Sequence, residues 1–484
     1  MKLTPRNFRK LAREEIAKEG QSKKLIKKCH ELNVIQEEAM SYYGEQDGQD
    51  RARGIAGEIR TNTLDNLLEL LVRFEVNASL NGSKVLWAEN GDEAVSLIGQ
   101  IIKQHNIKRV SKSKSSLLEE INISEYIKTK TDASIYHNNL GDFINEELKS
   151  PPFHLNNPIL NLELEEIVAT LHKSIGIPLT DNPSDVASYV NDYFRSHNLK
   201  ADMSITGVNQ AIASTGSILI VENAGNIRIA TANSKVQVAV MSIENLCDNL
   251  GDAFFINDLA TRNSTGQTIS SYLSIINGPK LEGEKDGPSE LYVIILDNGR
   301  LDAYLAEEHR EVLRCIKCGR CATVCPVFKR IGAYPYGNPY PGPIGNILMP
   351  LILGLNETKH LYQACTLCGA CSEICPVQVP HVDLIMNYRN LKANGDRKLD
   401  ATVNVWNKML FQSYARAISK RSYYDRSIIG MRAYLNNNAN GDYIENLSGP
   451  IQSWFITRDF PVLPEHTFQH YWKTKGHLLN EEGE

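Results

Sequence analysis

Residues 315–326 read CIKCGRCATVCP, and residues 365–376 repeat the pattern as CTLCGACSEICP. Both stretches follow the spacing C-x2-C-x2-C-x3-C-P, which is typical of loops that hold [4Fe-4S] clusters. A glycine lets each loop bend so that three thiolates converge, and a proline follows the fourth cysteine. The two stretches, here called the first and second cysteine blocks, predict an α-helical ferredoxin domain with two [4Fe-4S] clusters.

The spacing also predicts which cysteines bind which cluster. In ferredoxins with two clusters, the last cysteine of each block ligates the cluster of the other block. The predicted ligands are Cys315, Cys318, Cys321 and Cys375 for cluster one, and Cys365, Cys368, Cys371 and Cys325 for cluster two. The alternative is zinc, but zinc sites usually use two separated cysteine pairs without a third cysteine at the next interval. Two complete ligand sets predict a one-electron relay.

The residues between the ligands differ in charge. The first block carries Lys317 and Arg320, whereas the second has Thr366, Leu367 and Ala370 in the matching places. Positive charge stabilises the reduced, more negative form of a cluster. We therefore expect cluster one to have the higher potential and to be the downstream acceptor. The alternative is that both basic side chains point into solvent, where their charge is screened.

Composition limits the class of protein. The 484 residues include 52 Lys plus Arg and 57 Asp plus Glu, so the net charge is −5, which argues against nucleic acid as a partner. The densest apolar stretch, 347–355, is short and contains Pro350, so no transmembrane segment is expected. We expect a cytoplasmic protein, whose thiols stay reduced. The two cysteines outside the blocks, Cys29 and Cys247, are expected only to pack.

Patterns along the chain predict four parts. Strand-like and helical segments alternate between residues 55 and 300, which indicates an α/β domain with a parallel or mixed sheet. A lysine-rich helical extension, residues 1–54, precedes it. The ferredoxin domain follows at residues 301–395, and a C-terminal helical segment and tail occupies residues 396–484.

Two tracts of the α/β part are candidates for binding an anion. The first contains Thr215, Gly216, Ser217, Gly225 and Asn226, because glycines let backbone N–H groups approach an anion and hydroxyls can donate to it. The alternative for this tract is a tight turn between two strands. No complete catalytic motif is present in this half of the chain.

The second candidate is the loop after Val110, where Lys112 and Lys114 precede Glu119 and Glu120 at an expected helix start. Lysines near a helix N-terminus can hold a phosphate or a carboxylate. The alternative is a solvated loop.

In combination, these tracts resemble the lactate utilization protein B family, the iron-sulfur proteins of a bacterial three-protein system that oxidises L-lactate. The resemblance covers nearly the whole chain in the same order. It is carried by VSKSKS with the residues through Glu120, TGVNQAIASTGSILIVENAGNIR (206–228), TGQTISSYLSIINGP (265–279), DGPSELYVIILDNGR (286–300), the cysteine blocks, YGNPYPGPIG (336–345) and SWFITRDFP (453–461).

The resemblance implies an α/β domain similar in fold to formyltetrahydrofolate cyclo-ligase and CoA-transferases, followed by the ferredoxin domain. It also implies two partner proteins, one of them a cysteine-rich subunit similar to heterodisulfide reductase, with which L-lactate is oxidised to pyruvate. Electrons would pass through the two clusters, and this chain would be a relay subunit without a catalytic residue of its own.

The chain departs from the family pattern where the family tends to carry acidic residues. It has Ser214, Ala224 and the tract His137-Asn138-Asn139 in those places. The missing carboxylates argue against a ligand or catalytic role for the α/β half and favour a docking scaffold. One alternative function is a self-contained iron-sulfur oxidoreductase whose α/β domain binds an acyl or CoA-type ligand. A redox-sensing regulator is disfavoured, because no DNA-binding helix-turn-helix is present.

Overall fold

The computed structural model describes residues 7–447, 452, 455, 458–464, 466 and 468–475. Residues 1–6 of the expected N-terminal extension lie outside this description, and so do four residues of the SWFITRDFP tract, Ser453, Trp454, Ile456 and Thr457. The chain divides into two compact units, Met1–Thr402 and Val403–Glu484.

The first unit is built on a six-stranded sheet in the order β1-β10-β7-β4-β2-β3, and every pair in it is parallel. A second sheet of four strands has the order β8-β5-β6-β9. The strands of this unit are β1 Lys84–Ala88, β2 Arg109–Lys112, β3 Ser134–His137, β4 Met203–Gly207, β5 Gln210–Ile212, β6 Ser217–Glu222, β7 Val236–Ser242, β8 Leu246–Cys247, β9 Tyr272–Ile276 and β10 Glu290–Leu296.

The central strands are apolar because helices cover both faces of a parallel sheet. All seven residues of β7 are buried, and so are six of the seven in β10. The register aligns Val293 of β10 with Ala239 of β7 and Val85 of β1. Since parallel strands end at the same edge, the loops after β2, β4 and β7 meet there.

The helices before the first cysteine block are α1 Phe8–Ala17, α2 Gln21–Met40, α3 Gln46–Asp65, α4 Leu67–Leu80, α5 Gly91–Gln104, α6 Ser116–Glu120, α7 Ile123–Lys130, α8 Leu140–Glu147, α9 Leu164–Ile175, α10 Pro183–Asn198, α11 Asn226–Asn233, α12 Leu250–Ser264 and α13 Arg300–Leu305. Several begin with a side-chain cap. Asn90, for example, accepts a hydrogen bond from the N–H of Glu93 at the start of α5, at 3.0 Å.

The cysteine-rich part of the first unit is helical. Its helices are α14 Arg320–Val324, α15 Pro326–Ile331, α16 Pro343–Leu353, α17 Lys359–Ala364, α18 Ala370–Glu373 and α19 His381–Asn394. Its apolar residues, such as Phe328 and Ile344, share one core with Phe74 and Val293 of the α/β part. The N-terminal helices join this region too, since the Thr323 hydroxyl donates to the Asn33 carboxamide at 2.6 Å.

The second unit contains α20 Val405–Ser419, α21 Arg421–Asn436, α22 Phe468–Lys475 and a two-stranded antiparallel pair, β11 Tyr443–Ile444 with β12 Phe460–Pro461. A small core forms around Leu435, Ile444 and Leu447. None of the residues described in either unit forms a helix that is both long and apolar enough to cross a lipid bilayer.

Candidate functional site

The two cysteine blocks have the same backbone conformation. Lys317 and Leu367, which occupy matching positions, both have positive φ angles, 56° and 58°. The glycines that follow, Gly319 and Gly369, also have positive φ angles, 79° and 85°. The N–H groups of Lys317 and Leu367 each donate to the sulfur of the first cysteine in their block, at 3.3 Å. Both loops therefore curl around their sulfurs in the same way.

The first three cysteines of the first block lie near the last cysteine of the second. Burial, together with the neighbouring thiols of Cys318 and Cys375, raises the pKa of Cys315 to about 12. Burial raises the pKa of Cys318 to about 12 as well, and Cys375 contributes again. The fold thus brings Cys375 across to the first block.

The reciprocal group forms at the second block. Burial raises the pKa of Cys371 to about 12, and the thiols of Cys325, Cys365 and Cys368 contribute. The two groups adjoin, because Cys371 also raises the pKa of Cys321. All of these cysteines are free thiols. Two neighbouring sets of four sulfurs are the donors that two [4Fe-4S] clusters require, so the residues present fit these groups.

A buried ion network connects the first block to the α/β part. The ammonium of Lys317 lies 3.2 Å from a Glu244 oxygen, and Arg300 contacts the same oxygen at 3.0 Å. Arg300 also pairs with Glu120 at 2.7 Å, and Tyr340 donates to Glu120 at 2.5 Å. Although burial alone would raise the pKa of Glu244, the charges of Arg300 and Lys317 hold it well below its usual value. Both carboxylates therefore stay ionised inside the protein.

Arg320 is the second cation of the first block, and it is 1% exposed. Its guanidinium donates to the Asn263 carboxamide at 2.6 Å, and no carboxylate of the described residues forms an ion pair with it. Burial lowers its pKa to about 10, so the group stays charged at neutral pH. The alternative in which Lys317 and Arg320 point into solvent is wrong, because both side chains are enclosed.

A loop of the α/β part braces the first block and was missed by sequence reasoning. His154 contacts the carbonyl of Gly319 through Nε2 at 3.1 Å, and Asn156 donates to the carbonyls of Lys317 and Cys318 at 3.1 and 2.7 Å. Burial lowers the pKa of His154 to about 4, so the ring is neutral. A Cβ on Gly319 would lie 2.8 Å from the ring, so glycine is required for this contact.

A cavity of about 320 Å³ lies beside this brace. Its walls are the loop after β2, the end of β4, the turn between β6 and α11, one side of α12 and the first cysteine block through Ile316, Lys317 and Cys318. Gly207 at the end of β4 allows the close approach, since a Cβ there would lie 2.5 Å from the Ser115 hydroxyl. The cavity is thus shared by the α/β part and the cysteine-rich part.

Family models match both parts of the chain. Residues 71–296 match the LUD domain, and residues 311–379 match the 4Fe-4S dicluster domain. Lactate utilization protein B of Oceanobacillus iheyensis is 33% identical over 88% of this chain and 89% of its own length. The chain belongs to the lactate utilization protein B family. The Bacillus subtilis member is 33% identical over 87% of each chain, and lactate utilization protein B 1 of Bacillus mycoides is 35% identical over 89% of this chain and 88% of its own.

Among solved structures, a DUF162 family protein from Deinococcus radiodurans covers 48% of this chain and 98% of its own, with 17% identity and a TM-score of 0.27. The family membership expected from sequence is confirmed, and so is an α/β sheet domain followed by a 4Fe-4S dicluster domain. The dicluster match also confirms the expected [4Fe-4S] cofactors, and the cysteine-rich region of this family member fits two of them.

The anion-binding residues expected around residue 215 lie in different surroundings. Thr215 and Gly216 lie in the turn between β5 and β6, and Ser217 is the first residue of β6. A Cβ on Gly216 would lie 2.2 Å from a backbone nitrogen of α4. Gly225 precedes α11 with a φ angle of 70°. Of the five residues, Asn226 lines the cavity. Its side chain donates to the backbone carbonyl of Asn138, the residue after β3, at 2.8 Å.

The first lysine of the second candidate tract is enclosed, whereas Lys114 is partly exposed. Lys112 is fully buried, pairs with Glu119 and lies 4.0 Å from Asp142. Glu119, Asp142 and His137 place one ligand atom each within 4.8 Å of one another, an arrangement that could hold a metal ion. Burial and the Lys112 charge lower the pKa of His137 to about 3. The Lys112 ammonium thus already supplies positive charge to this group.

The two cysteines outside the blocks are buried. Burial raises the pKa of Cys29 to about 12 and that of Cys247 to about 11, which makes both thiols poor nucleophiles. Cys247 donates to the Gln210 side chain at 3.1 Å.

Proposed function

We propose that this chain is the iron-sulfur electron-transfer subunit of a multi-protein complex that oxidises L-lactate to pyruvate. The observation that carries the proposal is the exchange of Cys325 and Cys375 between two adjoining groups of four sulfurs. Relatives named lactate utilization protein B support the substrate. The α/β domain would be of the CoA-transferase or formyltetrahydrofolate cyclo-ligase type, and the protein would act in the cytoplasm.

In this proposal, cluster one is held by Cys315, Cys318, Cys321 and Cys375, and cluster two by Cys365, Cys368, Cys371 and Cys325. The bound clusters supply one-electron storage and transfer. The buried network of Glu120, Arg300 and Glu244 ties the first block to the α/β part through Lys317. Backbone N–H groups that donate to sulfur, such as that of Val379 to Cys375 at 3.3 Å, stabilise thiolate charge.

The second block is the face that a partner would reach, because Thr366 and Cys368 are exposed. The partners would be two other lactate-utilization proteins, one of them a cysteine-rich subunit similar to heterodisulfide reductase. No nucleic acid is expected. The chain by itself would not turn over lactate.

The test is the visible spectrum of the complex, purified without oxygen through a tag on this chain. We expect L-lactate to bleach the iron-sulfur absorption and D-lactate to leave it unchanged. A matched Cys247→Ser variant should behave like the wild type, because that thiol lies outside both blocks. Bleaching by dithionite but not by L-lactate would refute the substrate, and a protein without such absorption would indicate zinc.

A second candidate is a self-contained oxidoreductase whose α/β domain binds an acyl or CoA-type ligand. The cavity favours it, because Lys317 and Cys318 of the first block form part of the cavity wall. Turnover of such a ligand by the isolated chain would distinguish this candidate from a relay subunit.

A further inference from the structure

Among the described residues, one cation in the wall of the cavity beside the first cysteine block forms no hydrogen bond or ion pair, although the buried carboxylate of Asp142 lies near enough to act on its charge. Two lysines line it, and Lys317 is paired with Glu244. The ammonium of Lys114 makes no hydrogen bond or ion pair with any residue that the structure describes. The lining carboxylate, Glu222, accepts hydrogen bonds from the N–H groups of Ile227 and Arg228 at 2.6 and 3.0 Å. Lys114 is therefore available to a ligand of negative charge.

A second polar group in the same wall also makes no hydrogen bond within the described part of the chain. Ser113 is 1% exposed, and its hydroxyl makes no hydrogen bond. Its N–H donates to the carbonyl of Ile205 at 2.9 Å, which fixes the residue at the end of β2. A buried hydroxyl that is left unpaired costs free energy, so a ligand oxygen at this place would be favourable.

The rest of the lining is neutral and polar. It includes the carboxamides of Asn139, Asn209, Asn245 and Asn257, with apolar side chains such as Leu117 and Ile220 between them. A single free ammonium matches a monoanion, whereas a phosphate dianion needs more than one cation. The chemistry of the walls thus favours a small organic acid that carries a further oxygen.

We infer that this cavity binds a small hydroxy- or oxo-carboxylate, with its carboxylate on Lys114 and its second oxygen on Ser113, against the first cysteine block. The inference rests on the proposed function and deepens it, because L-lactate and pyruvate are the substrate and product of that reaction and an electron-transfer subunit needs no small-molecule site of its own. It also assigns a ligand to the α/β half, for which the missing acidic residues had favoured a docking role.

The inference is tested by calorimetric titration of the full-length chain with its clusters, without oxygen and without partner proteins. The probes are L-lactate, pyruvate, propionate and inorganic phosphate. We expect L-lactate or pyruvate to bind more tightly than propionate and phosphate. Lys114→Gln should weaken that binding at least about tenfold, because it removes a charged hydrogen bond. The control is Lys108→Gln, which removes an exposed lysine just before the same strand and should leave affinity unchanged.

Ser113→Ala separates binding from folding. It should weaken L-lactate or pyruvate binding but not propionate binding, and thermal stability should not fall, because the hydroxyl makes no hydrogen bond. The inference is overturned if neither L-lactate nor pyruvate binds, if Lys114→Gln binds as tightly as the wild type, or if phosphate binds most tightly. Since no turnover is measured, the result is independent of whether the complex oxidises L-lactate.

Discussion

In the first cysteine block, side chains of the α/β part hold the loop from several directions, whereas in the second block the loop reaches the surface. His154, Asn156 and Glu244 all contact the first loop. The second is held by Arg389, which donates to the carbonyl of Cys365 at 2.7 Å, while Cys368 is exposed. A repeated motif thus places the same pattern of cysteines twice. The surroundings differ, because the first block borders the cavity and the second reaches solvent.

The largest effect should come from the cysteines that cross between the blocks. Cys375→Ser removes a residue of the second block, yet we expect it to disturb the same cluster as Cys315→Ser, because their sulfurs lie together. Each variant should lose about half of the bound iron or form a three-iron cluster, with matching electron paramagnetic resonance spectra.

Cys325→Ser should likewise match Cys365→Ser. Full iron content is expected in the control Cys29→Ser, whose thiol is buried outside the blocks. If the spectrum of Cys375→Ser instead matched that of Cys365→Ser, each block would bind its own cluster, and the fourth ligand would not come from the other block.

Stability should depend on the charges behind the first block. Arg300→Met removes the cation that pairs with the buried carboxylates of Glu120 and Glu244. The loss of such a buried partner typically lowers the free energy of unfolding by about 3–5 kcal/mol. The matched change is Arg310→Met, which breaks a more exposed pair with Asp65 and should cost about 0–1 kcal/mol. Urea unfolding without oxygen, followed by circular dichroism, measures both; equal midpoints would show that the buried network does not hold the first block.

The next effect concerns the potential of cluster one. Arg320→Gln removes a buried charge between Cys318 and Cys321, so the reduced form of cluster one loses roughly 1–2 kcal/mol of stabilisation. The midpoint potential should therefore fall by about 40–90 mV. Redox titration followed by electron paramagnetic resonance should show one lowered midpoint. The other should stay, since Ala370 occupies the matching place in the second block. If both midpoints moved together, the difference in charge would not separate the two clusters.

The smallest shift is expected for Lys317→Gln. It should also lower the midpoint of cluster one, but less than Arg320→Gln, because the ammonium is drawn toward Glu244 and its side chain is 17% exposed. Glu244→Gln should move the same midpoint upward. A larger shift for Lys317→Gln than for Arg320→Gln would reverse this ranking of the two cations.

The [4Fe-4S] cofactors and much of the sheet could be predicted from local sequence, and the ligand assignment stays a prediction. The block spacing lies within a dozen residues, and apolar runs such as β7 and β10 read directly as buried strands. The surroundings of the blocks could not be predicted, because they join distant residues: Arg300 and Glu120 are 180 positions apart, and His154 and Gly319 are 165 apart. The Thr215 tract shows another limit, since small residues and hydroxyls suit both an anion site and a tight turn.

The position of β10 has a consequence for the order in which the protein folds. This strand is the last of the parallel sheet in the sequence, yet it lies between β1 and β7. During translation β1 therefore stays unpaired until β10 has been made. The roughly 200 residues between the two strands take about 10–40 s to synthesise at ordinary ribosome speeds. Since the first cysteine block follows β10 along the chain, it leaves the ribosome after the last strand of the sheet, so the walls that receive that block can form first.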